Sequence, residues 1–320
     1  MTALPDHDPV RDAVYAAIAA DLETREEYRG LGVSASALGQ ACDRALWYAL
    51  RWASRRAPVA PRIERIFARG REAEDRIVQD LRRAEMTVSE VDPRTGRQWR
   101  FAWAAGWVRG KADGIVTGVP GAPKAKHVLE VKCIKAADWR AILKHGLAKK
   151  KPEHWHQLHA GMVGLEIDRG LYVAENADTC EILTERVRLD PDAAVAQETR
   201  VLRLAAMHEA PPRIADDPAS FACRFCDHAA VCHEGARPER TCRSCLHFTH
   251  RSDGNGECAR WSEPRGWRAQ ASGCPTHLFV PALVAGEQID TDLDAETVTY
   301  AMPDGSTWTD GATPHEETIR

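Results

Sequence analysis

The sequence predicts an α/β protein: a mixed central sheet flanked by helices, followed by a small C-terminal module stapled by metal. Two observations predict the sheet. Short β-branched runs alternate with stretches of helical periodicity, and Gly, Pro and Asp clusters separate them. A third predicts the module: seven of the ten cysteines fall between Cys223 and Cys274. The polar start Met1-Thr2-Ala3-Leu4-Pro5-Asp6 is no signal peptide and no apolar run is long enough to span a bilayer, so the expectation is a cytoplasmic protein without a membrane partner. In that compartment metal is the natural use of so many thiols.

The chain divides into five expected regions. Residues 1–60 are helical. Residues from about Asp8 to Glu26 place Val10, Val14, Tyr15, Ile18 and Leu22 on one face, and after Gly30-Leu31-Gly32 a Ser34 cap opens a helix through Cys42 to Leu50. Residues 61–190 form the core. Pro61 begins a helix whose buried stripe is Ile63, Ile66, Phe67, Gly70, Ile77 and Leu81, with Glu74 inside that stripe. A meander follows, with strands at 87–91, 98–103, 108–116 and 128–134. Pro152 then opens another helix, and 171–174 with 181–187 make a closing hairpin. Residues 191–236 are helical to about His208 and then bring three cysteines. Residues 237–284 form the four-cysteine module, and 285–320 an acidic tail with a terminal hairpin.

Charge is unevenly placed. The net charge is −4, but the last 36 residues hold nine acids and one base, leaving 42 bases against 38 acids in residues 1–284. That mildly basic body suits nucleic acid. Two runs are candidate phosphate contacts: Arg51, Arg55, Arg56, Arg62, Arg65, Arg69 and Arg71 in one, and Lys144, Lys149, Lys150 and Lys151 in the other.

The candidate chemistry lies at His127-Val128-Leu129-Glu130-Val131-Lys132-Cys133. As a strand it turns Leu129, Val131 and Cys133 to one face and Val128, Glu130 and Lys132 to the other. A carboxylate and an ammonium inside a β-branched run are costly there without partners. If the segment ending at Asp113-Gly114 pairs with this strand, Asp113 and Glu130 supply two carboxylates for magnesium or manganese, and the carbonyl of Val131 a third ligand. Lys132 is then placed to orient the attacking water. Glu74, a carboxylate on an apolar helix face, is either paired or aimed at the same cation.

Asp113-Gly114 followed by Glu130-Val131-Lys132 resembles the Asp…(Asp/Glu)-x-Lys signature of the PD-(D/E)XK nucleases. Over residues 34 to 232 the motifs resemble the RecB-like exonuclease branch, including CRISPR-associated and phage-encoded members. The resemblance implies a restriction-endonuclease-like core and a Mg- or Mn-dependent DNA exonuclease of recombination, repair or processing, with DNA and a recombination or CRISPR-adaptation protein as partners. It also implies a catalytic role for Gln157, although Gly161 stands where the family has a Tyr. Any aromatic stacking there is lost or supplied by a neighbour such as Trp155.

Cys223-Arg224-Phe225-Cys226 and Cys232, taken with distant Cys42, resemble the iron-sulfur members of that branch and imply a 4Fe-4S cluster, with zinc as the alternative. Cys242, Cys245, Cys258 and Cys274 read as a zinc-ribbon-like site, in which His247, His250 or His277 can replace a cysteine. Cys133 and Cys180 read as strand-packing thiols. An alternative of a different class is a non-catalytic nucleic-acid or protein adaptor on an inactive nuclease scaffold. The intact acid, acid and lysine set speaks against it.

Overall fold

In a computed structural model the chain is described over residues 8–25, 32–55, 58–251, 253 and 255–311; Arg56 lies outside these. The helices are α1 (Pro9–Glu23), α2 (Asp43–Leu50), α3 (Pro61–Arg83), α4 (Ala136–His145), α5 (Leu147–Lys150), α6 (Pro152–Gly164), α7 (Pro191–Ala206), α8 (Ala229–His233) and α9 (Trp267–Ser272). The strands of the body are β1 (Val33–Ser34), β2 (Thr87–Ser89), β3 (Val91–Asp92), β4 (Arg97–Gln98), β5 (Arg100–Trp103), β6 (Val108–Lys111), β7 (Gly114–Thr117), β8 (His127–Ile134), β9 (Arg169–Asn176) and β10 (Ile182–Arg188). Those of the C-terminal part are β11 (Phe248–His250), β12 (Gly256–Cys258), β13 (Glu263–Arg265), β14 (Glu287–Asp292), β15 (Thr297–Ala301) and β16 (Thr307–Asp310). Among the described residues no helix is long and apolar enough to cross a membrane.

The central sheet is mixed, in the order β10-β9-β8-β7-β2, with β8 and β9 parallel and the other pairs antiparallel. A parallel pair needs both faces covered. On one face Ile77, Val78 and Leu81 of α3 meet Leu129, Val131, Leu171 and Val173. On the other, Leu158 and Met162 of α6 and Ile142 of α4 meet Val128, Tyr172 and Ala174. Helices thus flank the mixed sheet as expected. The predicted single strand 108–116 is instead two: β6 pairs with β1 and β5 in a second sheet, and the chain crosses to β7 at Ala112-Asp113. Gly110 permits the second sheet, because a Cβ there would lie 2.3 Å from the Phe101 ring.

Other expectations are corrected. Ser34 caps a short 3-10 turn (Ala35–Ala37), and α2 begins afterwards with Cys42 as its N-cap, whose Sγ accepts from the Ala45 amide at 3.4 Å. The apolar stripe of α3 is buried only in its C-terminal half. Ile66 and Phe67 are exposed and Gly70 faces open space, since that half runs past the sheet. Glu64 is buried there instead, held by Arg25 at 3.1 Å and Arg71 at 2.8 Å. Helix α1 buries no side chain. Cys180 is no packing thiol, being exposed at a left-handed turn position (φ 60°) between β9 and β10.

The two ends of the body are clasped by side chains. Arg200 of α7 binds Asp43 at 2.7 Å and donates to the carbonyls of Leu38 and Gln40, while Arg203 reaches the same Asp43 at 2.6 Å. Arg51, expected to contact DNA, is buried, with its guanidinium donating to the carbonyls of Trp47, Leu204, Ala205 and Met207. It satisfies the orphan carbonyls at the end of α7 and is not presented to a ligand. Burial lowers it to about 10. In the C-terminal part the expected hairpin is a three-stranded meander, β14-β15-β16. Its Val298 and Tyr300 share a core with Leu278 and Phe279, and Asp310 accepts from the Phe279 amide at 2.6 Å.

Candidate active site and cysteine clusters

The pairing that would unite Asp113 with Glu130 is present. Gly114 is opposite Leu129 and Ile115 opposite Val128, so the next step of the register sets Asp113 against Glu130. Asp113 Oδ2 accepts from the Val131 amide at 2.7 Å, which fixes its carboxylate beside the strand. Lys132 Nζ donates to Glu130 Oε1, and to the carbonyl of Val131 at 3.2 Å. Glu74 comes from α3, on the opposite side of the strand from α6, and its field reaches Asp113 and Lys132. Four charged groups, from α3, β8 and the bend just before β7, therefore act on one another.

Their titration reflects one ammonium among three acids. Burial pushes Glu130 up to about 7, with Lys132 opposing and Asp113 and Glu74 adding to the rise. Burial also pushes Glu74 up to about 7, reinforced by Asp113. Asp113 is raised, again by burial first, against the pull of Lys132 and the Val131 amide. For Lys132 burial acts downward, but Glu130, Asp113 and Glu74 outweigh it and raise the group, so it stays protonated. Such a cluster has the donor chemistry for a hard cation: two carboxylates, a third in reach of the same field, and a main-chain carbonyl. As they stand, no three His, Cys, Asp or Glu side chains among the described residues form a closed metal-binding group, in this cluster or among the cysteines.

Two residues escaped the sequence reading. In the β8–β9 register Tyr172 lies opposite Glu130, and its hydroxyl is 2.9 Å from His154 Nδ1. Burial, then Lys132, pushes His154 down to about 4. A Tyr in an apolar strand and a His on α6 look like packing in sequence, because nothing local reveals that β9 runs beside β8.

A cavity of about 1160 Å³ is lined by Asp113, Lys111 and Gln157 and, in the same space, by Cys42, Cys223, Cys226 and Cys232. The helix carrying Gln157 packs tightly at Gly161, where a Cβ would meet Val128 at 3.2 Å and Phe101 at 3.6 Å. Trp155 packs against His159, with ring centres 3.6 Å apart and planes tilted by 34°. Three of the distant cysteines act on one another: burial raises Cys226, and Cys42 and Cys232 raise it further. The second set is gathered. Cys242 is pushed up to about 11 by burial, then by Cys245, Cys274 and Cys258. These four line one small pocket with His247 and His277. His247 Nε2 and His277 Nδ1 are buried there without a hydrogen-bond partner. His250 is elsewhere, stacked on Trp107 at 3.5 Å.

Of the remaining basic candidates, Arg55 is paired with Glu239 at 2.9 Å and Lys151 with Asp138 at 3.0 Å. Arg69, Lys149 and Lys150 are exposed.

No protein-family profile matches the chain, and no curated protein does. Among solved structures it is similar to an alkaline exonuclease (LHK-Exo) from Laribacter hongkongensis. In that protein's complex with dAMP the identity is 20% and the TM-score 0.40, over 61% of this chain and 91% of that one. In a second structure of that protein the values are 19% and 0.37, with the same coverage. It is also similar to SSO0001, at 14% identity and a TM-score of 0.37, over 70% of this chain and 96% of that one.

Proposed function

We propose that the protein is a Mg- or Mn-dependent deoxyribonuclease that hydrolyses phosphodiester bonds from the ends of DNA, in recombination, repair or processing. The observation that carries this reading is the set of Glu74, Asp113 and buried Glu130 around Lys132, three acids to one base. A structural ion pair would balance its charges; this cluster leaves a deficit that a divalent cation offsets. Asp113, Glu130 and the Val131 carbonyl would hold the ion, with Glu74 assisting. When bound, it would supply Lewis-acid polarisation of the phosphoryl group and a more acidic water. The Val131 amide keeps Asp113 oriented. Lys132, protonated and pinned to Glu130, orients the attacking water and offsets negative charge growing on the phosphate. Gln157 and Lys111, in the cavity with Asp113, position the strand. A cavity leading to Asp113 favours a strand end over a continuous duplex.

The residues present also suit the two thiolate sites: a 4Fe-4S cluster, or zinc, at Cys42, Cys223, Cys226 and Cys232, and zinc at Cys242, Cys245, Cys258 and Cys274 with His247 or His277 available. Iron and zinc counts on anaerobically purified protein test that part. The activity is tested by incubating end-labelled linear DNA and a covalently closed circle with manganese. Mononucleotides from the linear DNA alone are expected; no hydrolysis of either with any divalent cation would refute the reading.

A further inference from the structure

Phe221 and Phe225 are each 82% exposed, on the segment whose Cys223 and Cys226 line the cavity. Large rings that give up burial singly are common on surfaces. These two are not independent: the guanidinium of Arg224 lies 5.0 Å from one ring centre and 4.8 Å from the other, so a cation sits with both rings. Both phenylalanines line the same cavity as Asp113, and Arg100, Lys111 and Arg213 line it too. Exposed rings interleaved with positive charge are what an unpaired nucleic-acid strand needs, since every base has a face to stack and every phosphate a charge to neutralise. A duplex hides its base faces and has no use for them.

We propose that Phe221 and Phe225 stack the bases of a single DNA strand that occupies the cavity on its way to Asp113, with Arg224 against its phosphates; this rests on the nuclease reading above.

Binding is measured by fluorescence anisotropy on the full chain carrying Glu130→Gln, without added divalent cation, so that no cleavage intervenes. The probes are a labelled thymine oligonucleotide and an abasic strand of equal length, which keeps the phosphates and lacks the bases. Phe221→Leu and Phe225→Leu should each weaken the thymine strand about tenfold and leave the abasic strand unchanged, and Phe225→Trp should restore affinity. Equal loss on both strands would mean a merely structural role, and unchanged affinity or no binding by the parent would equally overturn the proposal. Cleavage by the wild-type chain is scored separately, so absent hydrolysis with intact stacking sinks the nuclease reading alone.

Discussion

Glu130 and Glu175 stand on adjacent parallel strands, three register steps apart, and both are buried, at 2% and 4% exposure. Their surroundings differ in stoichiometry. Glu175 receives two hydrogen bonds from Arg76, at 2.6 and 3.1 Å, one carboxylate to one guanidinium. Glu130 shares a single lysine with Asp113 and Glu74. The first arrangement is complete within the protein, while the second is short of positive charge. Burial of a carboxylate is thus no sign of function by itself; the sign is an imbalance that the chain does not correct.

The largest effect that would break this contrast is on chemistry. Asp113→Ala should lower DNA cleavage by roughly three orders of magnitude or more, because one carboxylate cannot hold the shared cation. Lys132→Ala should cut cleavage severely but keep manganese affinity, and calorimetric titration that found both lost would remove Lys132 from its role at the water. A smaller effect is on stability. Glu130 has a folded value of about 7, above the ordinary 4.5. Between those values the folded state keeps a proton that the unfolded state releases, so metal-free stability falls as pH rises through that window. Glu130→Gln removes the loss and should stabilise the metal-free protein at pH 8 by on the order of 1–3 kcal/mol, read by thermal unfolding, and little at pH 5. An equal gain at both values would contradict the charge imbalance.

Glu175→Gln should act oppositely, costing about 1–2 kcal/mol at pH 8, less than a fully buried pair because Arg76 is half-exposed; thermal unfolding reads it. The smallest effect concerns DNA. Lys111→Ala and Arg100→Ala, on the cavity side, should each reduce the slope of log affinity against log salt by about 1. Arg76→Ala should leave that slope unchanged.

Much of this contrast was legible in residues and spacing. Alternation along 127–133 placed Glu130 and Lys132 on one face, and the register brought Asp113 to them. What was hidden depends on partners far away in sequence. The arginines from Arg51 to Arg71 look alike as letters, yet the end of α7 claims Arg51. Ile66 and Phe67 keep the helical period of a buried stripe, but no sheet lies beneath them. The switch between sheets at Ala112-Asp113 rests on Gly110 fitting under Phe101, and Tyr172 gained its place beside Glu130 through the pairing of β8 with β9. Glu175 lies beyond the strand expected at 171–174, and its partner Arg76 sits 99 positions earlier.

The most direct test compares manganese-dependent release of nucleotides from linear DNA by the wild-type chain, Glu130→Gln and Glu175→Gln, with manganese binding measured on the same preparations. The account predicts that Glu130→Gln loses both binding and release while Glu175→Gln keeps both. Nucleotide release at the wild-type rate by Glu130→Gln would contradict it.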